Sequence, residues 1–416
     1  MTSFSIQNFG CRVNQAEAFG WAEELELSGL SLEKDAARAD LVIVNTCTLT
    51  SKADRDVRKF IRRVCRLNPA ARLVVAGCSV DGGRERFEDY PGTWLTVANR
   101  EKADLVEKVL SRVGRKAAAE FSPLRSRALL KVQDGCNLRC SFCIIPQVRG
   151  PSRSVDAAVL FARARTLIQR GFREIVLCGI HLNSYGLDLR PSGSLLELLR
   201  SLVGLDGLGR IRLSSHDPRY LDDPLIDLIT VSPKICPHFH LSLQHGSDPL
   251  LKLMGRGSKT SEYSRILARL REASPIAALG ADIIVGFPGE SGEDFDRMFE
   301  FLQSSPLNYL HVFSYSPRPG TPAAGRPQVA ETVKRERSAA LRAWSGERRL
   351  AFHQGFLGKE LEGIVVKKNR GAAEALTSNY IAVKVPSCPA GQGEEVMVKV
   401  LEAGPKQATG EAVTAL

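Results

Sequence analysis

Cys136, Cys140 and Cys143 stand within eight residues, in the run Gln133-Asp134-Gly135-Cys136-Asn137-Leu138-Arg139-Cys140-Ser141-Phe142-Cys143. Three thiolates at that spacing can curl around one soft metal centre, and three ligands rather than four leave one metal position open for a substrate or cofactor. A structural zinc site wants a fourth ligand nearby, and no His or Cys follows promptly. A redox pair of Cys140 and Cys143 would leave Cys136 without a role. Ligand count and spacing point to an iron–sulfur cluster.

A second set is dispersed along the chain but shares a structural address. Cys11 follows a predicted strand at 4–8, Cys47 ends a continuous apolar run at 40–46, and Cys78 follows another at 72–76. Unbroken apolar runs of this length mark strands buried on both faces. In a parallel α/β sheet the carboxyl ends of the strands share one edge, where ligands bind. Three thiols can converge there, again with one metal corner open. The plain alternative is that buried cysteine is a common core residue, but it does not predict cysteines at three successive strand ends.

These side chains need a scaffold. Over 1–118 strands alternate with helices at about 14–27 and 51–67, which implies a parallel α/β domain with crossover connections. A charged, Ala-rich stretch at 112–121 has the composition of a linker. Over 119–346, candidate strands at 129–133, 174–177, 210–214, 238–243, 282–285 and 310–314 alternate with helical stretches such as 155–170, 260–273 and 293–304. Six strands with intervening helices make a (β/α)6 partial barrel or an open doubly wound sheet, and periodicity does not choose between them. A Pro/Gly-rich passage at 316–322 leads into a polar helix at about 329–354. Over 347–416, segments 361–367, 380–386 and 395–401 alternate apolar and polar residues between turn residues, the pattern of a small antiparallel β-barrel.

The cysteine loop after the first strand of a (β/α)6 unit resembles the radical S-adenosylmethionine (SAM) superfamily. The resemblance sharpens over Gly10-Cys11-Arg12-Val13-Asn14-Gln15, Asn45-Thr46-Cys47-Thr48, Gly77-Cys78, Arg149-Gly150-Pro151-Ser152-Arg153-Ser154 and Gly179-Ile180-His181-Leu182-Asn183. It continues through His240-Leu241-Ser242-Leu243-Gln244, Asp282-Ile283-Ile284-Val285-Gly286-Phe287-Pro288-Gly289-Glu290 and His311-Val312-Phe313-Ser314-Tyr315. These runs are similar to the radical SAM methylthiotransferases, and they cover nearly the whole chain. The resemblance implies two [4Fe–4S] clusters, one held by Cys11, Cys47 and Cys78, the other by Cys136, Cys140 and Cys143 and binding SAM. It implies SAM contacts at Gly179, His181, Ser214, Gln244 and Gly286, and a terminal TRAM-like, RNA-binding barrel.

The Gly-Cys-Arg-Val-Asn-Gln run is most similar to the branch that acts on N6-threonylcarbamoyladenosine next to the tRNA anticodon. The implied function is its conversion to the 2-methylthio derivative, with tRNA as partner, a reductant such as flavodoxin or ferredoxin, and no membrane or DNA partner. Isopentenyladenosine tRNA and a ribosomal protein are alternative substrates within the family. A non-catalytic iron–sulfur RNA-binding protein is an alternative of another class. The chain departs from the family pattern at Ser79-Val80-Asp81, His245-Gly246-Ser247, Met254-Gly255-Arg256-Gly257-Ser258 and Ser214-Ser215-His216-Asp217-Pro218; all six ligand cysteines are kept.

Lys52, Arg55, Lys59, Arg62 and Arg66 recur at steps of three and four, one stripe on a helix, flanked by Arg58 and Arg63. It can contact tRNA phosphates or be a solvated face, and Asp54 and Asp56 dilute it. Lys367, Lys368 and Arg370, with Lys384 and Lys399, place cations on the terminal barrel, which suits RNA backbone binding or an architectural role. His238 and His240 fall on one strand face as packed or hydrogen-bonded groups. Cys65, Cys178, Cys236 and Cys388 fit no constellation and are expected as buried hydrophobes.

Composition agrees. The 416 residues are 44% hydrophobic and 25% charged, values that exclude wholesale disorder, collagen and coiled coil. Lys+Arg 57 against Asp+Glu 46 gives +11, an excess that favours a polyanionic partner. The longest apolar runs, at 41–44 and 73–76, are strand-length, far below the roughly 18 residues of a bilayer span. The opening residues carry no charged segment followed by an apolar one, so no secretory signal is expected and the cytoplasm is the default location. There, ten cysteines serve metal binding or catalysis rather than disulfides.

Overall fold

The computed structural model describes residues 2–83, 85–115 and 125–414, which fold as two compact units. The first comprises the described residues up to 115 with 134–152 and 316–324; the second comprises 125–133, 153–315 and 325–414. Of the linker expected at 112–121, Arg112 and Val113 close the helix Leu105–Val113, and 116–121 lie outside the described residues.

The first unit is built on a five-stranded sheet. In chain order its strands are Ser3–Asn8, Ser31–Leu32, Leu41–Thr46, Arg72–Gly77 and Thr93–Val97, arranged 2-1-3-4-5. Every pairing is parallel. Leu41–Thr46 is central and wholly buried, which is why its sequence shows no polar alternation. Leu41 and Ile43 pack with Trp21, Leu25 and Val106 on one face. Val42 and Val44 pack with Val57, Ile61 and Val64 on the other. The helix Ser51–Leu67 starts where the Thr50 hydroxyl accepts from Ala53 N at 3.1 Å, a side-chain N-cap. It turns Val57, Ile61 and Val64 inward at helical spacing and its basic residues outward.

The second unit begins with six parallel strands: Ala128–Lys131, Glu174–Cys178, Arg210–Leu213, His238–Gln244, Ala278–Val285 and Tyr309–Ser314. They form two three-stranded sheets joined by bridges Ile211–Ile235 and His216–Leu241. Spatial order follows chain order, with no reversal. That removes the doubly wound alternative, whose strand order must switch, and leaves the (β/α)6 partial barrel.

The terminal segment is a closed five-stranded barrel of Glu360–Asn369, Ala372–Thr377, Ala382–Val385, Glu395–Glu402 and Ala408–Thr414, in the order 1-2-3-5-4. All its pairings are antiparallel except that of the third and fifth strands. Three of the five strands are those expected from alternation. The other two are rich in Ala, Gly and Glu, residues of low strand propensity, and tertiary pairing carries them. No helix among the described residues is long and apolar enough to cross a membrane.

Candidate metal centre

Strand register brings the dispersed cysteines together. Thr46 pairs with Gly77, so Cys47 and Cys78, the next residues of neighbouring strands, leave the sheet side by side. Asn8 pairs with Asn45, which puts Cys11 on the other flank of Cys47. The strand order reverses between Ser3–Asn8 and Leu41–Thr46, the switch point where open α/β sheets leave a crevice.

Two glycines make that crevice possible. Gly10 has φ +99, and a Cβ there would lie 2.6 Å from the Cys47 Cβ. Gly77 has φ +107, and its Cβ would meet the Thr46 carbonyl oxygen at 2.7 Å. Neither conformation nor space admits another residue. Side-chain amides stitch the turns: Asn14 Nδ2 donates to the carbonyls of Phe9 and Thr46, both at 2.8 Å. Asn45 Nδ2 donates to the Asn14 carbonyl, also at 2.8 Å.

Burial pushes the Cys11 thiol up, with the Arg149 guanidinium opposing and Cys78 reinforcing. Burial, aided by Cys78 and Cys11, pushes Cys47 up to about 12. The thiols thus feel one another electrostatically, and a metal that binds them must supply the charge that displaces their protons.

Cys136, Cys140 and Cys143 belong to the same unit. Their loop turns back on itself: Cys136 N donates to the Gly150 carbonyl at 3.1 Å and Cys143 N to that of Cys140 at 3.1 Å. Gly135 has φ +70, with the Pro151 carbonyl oxygen 2.0 Å from where a Cβ would stand. Arg149, 3% exposed, joins this loop to the other triad. Its Nη1 donates to Asp134 at 2.7 Å and to Glu17 at 3.1 Å, and its Nη2 donates to Asn14. Cys78 packs against Ile144, Val148 and Leu49, and Asn99 Nδ2 donates to the Val148 carbonyl at 2.7 Å. The two triads are therefore parts of one packed body.

Arg149 was not among the site residues expected from sequence. Its only sequence signal is its place at the head of the Arg-Gly-Pro-Ser-Arg-Ser run, because Glu17 lies 132 residues away. Arg318 was missed likewise. It is 1% exposed, and its Nη1 donates to Asp54 at 2.6 Å and to the Thr48 carbonyl at 2.9 Å, bracing the turn after Cys47.

Among the described residues, His240, Asp282 and His311 are a group of three potential ligands whose donor atoms lie within 4.8 Å of one another. The donor chemistry of each cysteine set, three soft thiols, suits an iron–sulfur cluster with one iron left open.

In the second unit, Gly179, Ser214 and Gly286 follow the carboxyl ends of three barrel strands, and Gln244 ends a fourth. His181 lies two residues beyond Gly179. Gly179 N donates to Ser214 Oγ at 3.3 Å, and His181 N to Gln133 Oε1 at 2.9 Å. Burial lowers the His181 ring to about 4, so it is neutral at pH 7. Gln244 sits at a register shift with φ +75, and a Cβ on Gly286 would strike the Lys334 side chain at 2.2 Å. Four of these five residues thus sit at one edge of the barrel, where its loops gather.

Lower in the same barrel a relay runs from His238 Nε2 to Tyr309 Oη (2.7 Å), to His240 Nδ1 (3.0 Å), and from His240 Nε2 to Asp282 (2.9 Å). His240 and His311 beside it hold the Asp282 carboxyl well below the usual carboxylate range against its burial.

On the helix Ser51–Leu67, Arg55, Arg58, Lys59, Arg62, Arg63 and Arg66 line a groove of about 530 Å³. Asp54 does not dilute it, as the sequence suggested: it turns inward to Arg318 at 2.6 Å. Asp56 does, through Lys52 at 2.6 Å. On the terminal barrel Lys367 pairs with Glu374 at 3.3 Å, while Lys368 Nζ is tied to the carbonyls of Ala390 at 2.7 Å and Pro389 at 3.2 Å. Cys178, Cys236 and Cys388 are buried as expected; Cys65 is only partly so.

Comparison with known proteins places these features. The Radical SAM superfamily model matches residues 130–302, and that of the Uncharacterized protein family UPF0004 matches 3–97. The chain is 37% identical to the threonylcarbamoyladenosine tRNA methylthiotransferase MtaB of Aquifex aeolicus, over 91% of this chain and 96% of that one. It is 33% identical to the tRNA-2-methylthio-N(6)-dimethylallyladenosine synthase of Cereibacter sphaeroides, over 98% of each. The solved radical SAM methyltransferase TsrM of Kitasatospora setae shares the fold at TM-score 0.57 and 16% identity, over 78% of this chain and 77% of that one.

Proposed function

The chain belongs to the radical SAM methylthiotransferases, and from that premise we propose that it converts N6-threonylcarbamoyladenosine beside the tRNA anticodon to its 2-methylthio derivative. It is an enzyme that uses S-adenosylmethionine and [4Fe–4S] clusters. The observation that carries the reading is the presence, in one compact unit, of two three-cysteine sets, each one ligand short of a closed site. The Gly10-to-Gln15 run and the relatives named for threonylcarbamoyladenosine support that substrate over a dimethylallyl one.

Cys136, Cys140 and Cys143 hold the SAM-binding cluster in this reading, and Cys11, Cys47 and Cys78 the second. When bound, the first supplies the electron for reductive cleavage of SAM and the second a site for the transferred sulfur. The chain does the positioning. Gly10 and Gly77 keep the crevice clear. Arg149 balances Glu17 and Asp134 beside the thiolates. Gly179, His181, Ser214, Gln244 and Gly286 line the SAM side. Lys52, Arg55, Lys59, Arg62 and Lys367 meet RNA phosphates, with Lys368 bracing its own barrel. The segments 1–118, 119–346 and 347–416 divide this work as cluster, radical SAM and RNA-binding domains. A flavodoxin or ferredoxin in the cytoplasm delivers electrons.

The test is mass spectrometry of tRNA nucleosides from cells with and without the protein. Loss of the 2-methylthio nucleoside, restored by the wild-type chain and not by Cys140→Ala, is the expected result. An unchanged profile, in cells that contain the modification, rejects the reading. A purely structural iron–sulfur protein would show no SAM cleavage under strong reductant.

A further inference from the structure

Three side chains that the proposed reaction does not use meet inside the partial barrel. Asp282 pairs in register with His311 on the neighbouring strand. His240 pairs with Gly280, two residues before Asp282 and on the same face. The alternate positions Phe239, Leu241, Ile283 and Leu310 are buried and apolar, as the helix-covered outer face of such a barrel must be. His240, Asp282 and His311 therefore point into the lumen. Each stands three or four residues before the carboxyl end of its strand, roughly 10–13 Å below the loops that carry the residues assigned to SAM.

Their donor atoms lie within 4.8 Å of one another. His240 Nε2 is 2.9 Å and His311 Nδ1 3.4 Å from Asp282 Oδ1. A tetrahedral ion with bonds of about 2.0–2.1 Å to nitrogen and oxygen holds its ligands roughly 3.3 Å apart, and the two spacings bracket that value. Behind the donors, His240 Nδ1 lies 3.0 Å from Tyr309 Oη. A partner on the second ring nitrogen fixes the tautomer of a metal-ligating imidazole, here leaving the Nε2 lone pair toward Asp282. Tyr309 is set in turn by His238 Nε2 at 2.7 Å. Gly280 makes room for its ring, since a Cβ there would lie 2.0 Å from Tyr309 Cζ.

The charges also call for a cation. Among the described residues Asp282 pairs with these two imidazoles and with no Lys or Arg. Imidazole is not a permanent cation, so a carboxylate only 21% exposed has no fixed positive partner. Arg127 is held by Glu174 at 3.2 Å, and Arg349 lies 5.1 Å over the Tyr309 ring, behind the donors. His311 is half-exposed and lines a cavity of about 340 Å³ at the amino ends of the strands, a path by which a hydrated ion can enter.

We propose that His240, Asp282 and His311 bind one divalent transition-metal ion of the zinc class, with a fourth position open to water or another oxygen ligand in the lumen. Two imidazoles select such an ion over magnesium, which prefers an all-oxygen shell.

Reconstituted holoenzyme is stripped of loosely held metal on a chelating resin. It is then titrated anaerobically with Zn²⁺ against a fluorescent zinc indicator in excess Mg²⁺, and zinc and iron are counted by plasma mass spectrometry. One zinc per chain is expected beyond the cluster iron, with nitrogen and oxygen neighbours at about 2.0–2.1 Å in zinc K-edge absorption. His311→Ala and Asp282→Asn are each expected to abolish stoichiometric zinc binding while iron content stays at the wild-type value. Tyr309→Phe is expected to weaken zinc binding by about tenfold. Absence of stoichiometric zinc in the wild type overturns the proposal. So does zinc that survives both ligand variants, or sulfur neighbours at about 2.3 Å, which would put the ion on cysteines. His311 is half-exposed, so its variant answers even if Asp282→Asn misfolds.

Discussion

Arg149 donates to Asp134 at 2.7 Å across fifteen residues, closing the segment that contains Cys136, Cys140 and Cys143 into a ring. The same guanidinium reaches Glu17 on the helix that follows Cys11. One side chain thus ties both cysteine sets together, while Glu17 also takes Lys102 at 2.7 Å. Arg149→Met is expected to destabilise the protein by about 1–3 kcal/mol, since Asn14, Glu17 and Asp134 each lose a charged donor. It should also lower bound iron. Urea unfolding and iron analysis check this, and wild-type iron content in a stable variant would refute it. Arg149→Lys is expected to fall between, because one ammonium cannot reproduce a planar fork.

Gly10→Ala and Gly20→Ala separate space from propensity. At Gly10 the added Cβ meets Cys47 at 2.6 Å with φ +99; at Gly20, inside the helix Arg12–Leu27, it meets nothing within 4 Å. Gly20→Ala is expected to stabilise by about 0.5–1 kcal/mol. Gly10→Ala is expected to destabilise and to lose the iron of the first triad, read by reconstitution and absorbance. Equal behaviour of the two would mean that Gly10 is not a wall of the crevice.

These contrasts show what the sequence could carry. Strand ends are legible because buried parallel strands are unbroken apolar runs, so Cys47 and Cys78 declared their shared edge. The loop Cys136 to Cys143 declared itself by spacing alone. Arg149 and Arg318 did not, because their meaning lies in partners far along the chain. Asp54 looked like a surface acid because helical periodicity cannot show that Arg318 draws it inward. The strand Ala372–Thr377 was invisible because Ala and Glu pair there only under the closure of the barrel.

His216 is fully buried, with neither ring nitrogen partnered among the described residues. Burial lowers it to about 4, and His181 and His245 likewise to about 4. Each ring binds its proton more weakly folded than unfolded, where the value is about 6.5. The stability they contribute is complete above about pH 6.5 and is lost as pH falls toward 4. Glu174 and Asp282, held below the usual carboxylate range, add a further loss below about pH 4.5. His216→Leu is expected to raise stability by about 1–2 kcal/mol at pH 7 and to shallow the decline between pH 6.5 and 4. Urea midpoints across pH check it, and an unchanged slope would show that His216 has a partner in solution.

The groove cations of the helix Ser51–Leu67 make a prediction about salt rather than affinity alone. Lys52 is partly neutralised by Asp56, whereas Arg55, Lys59 and Arg62 line the groove with exposed side chains. Each phosphate contact releases counterion, so the slope of log affinity against log salt falls in magnitude by about 0.7–0.9 per contact removed. A triple substitution of Arg55, Lys59 and Arg62 to Gln is expected to reduce the tRNA-binding slope by roughly two to three, with thermal stability unchanged. Lys52→Gln is expected to change it by less than one such step. Lys368→Gln, by contrast, removes a tie to two barrel carbonyls and should lower stability rather than the slope. A triple variant that keeps the wild-type slope would show this face to be merely solvated.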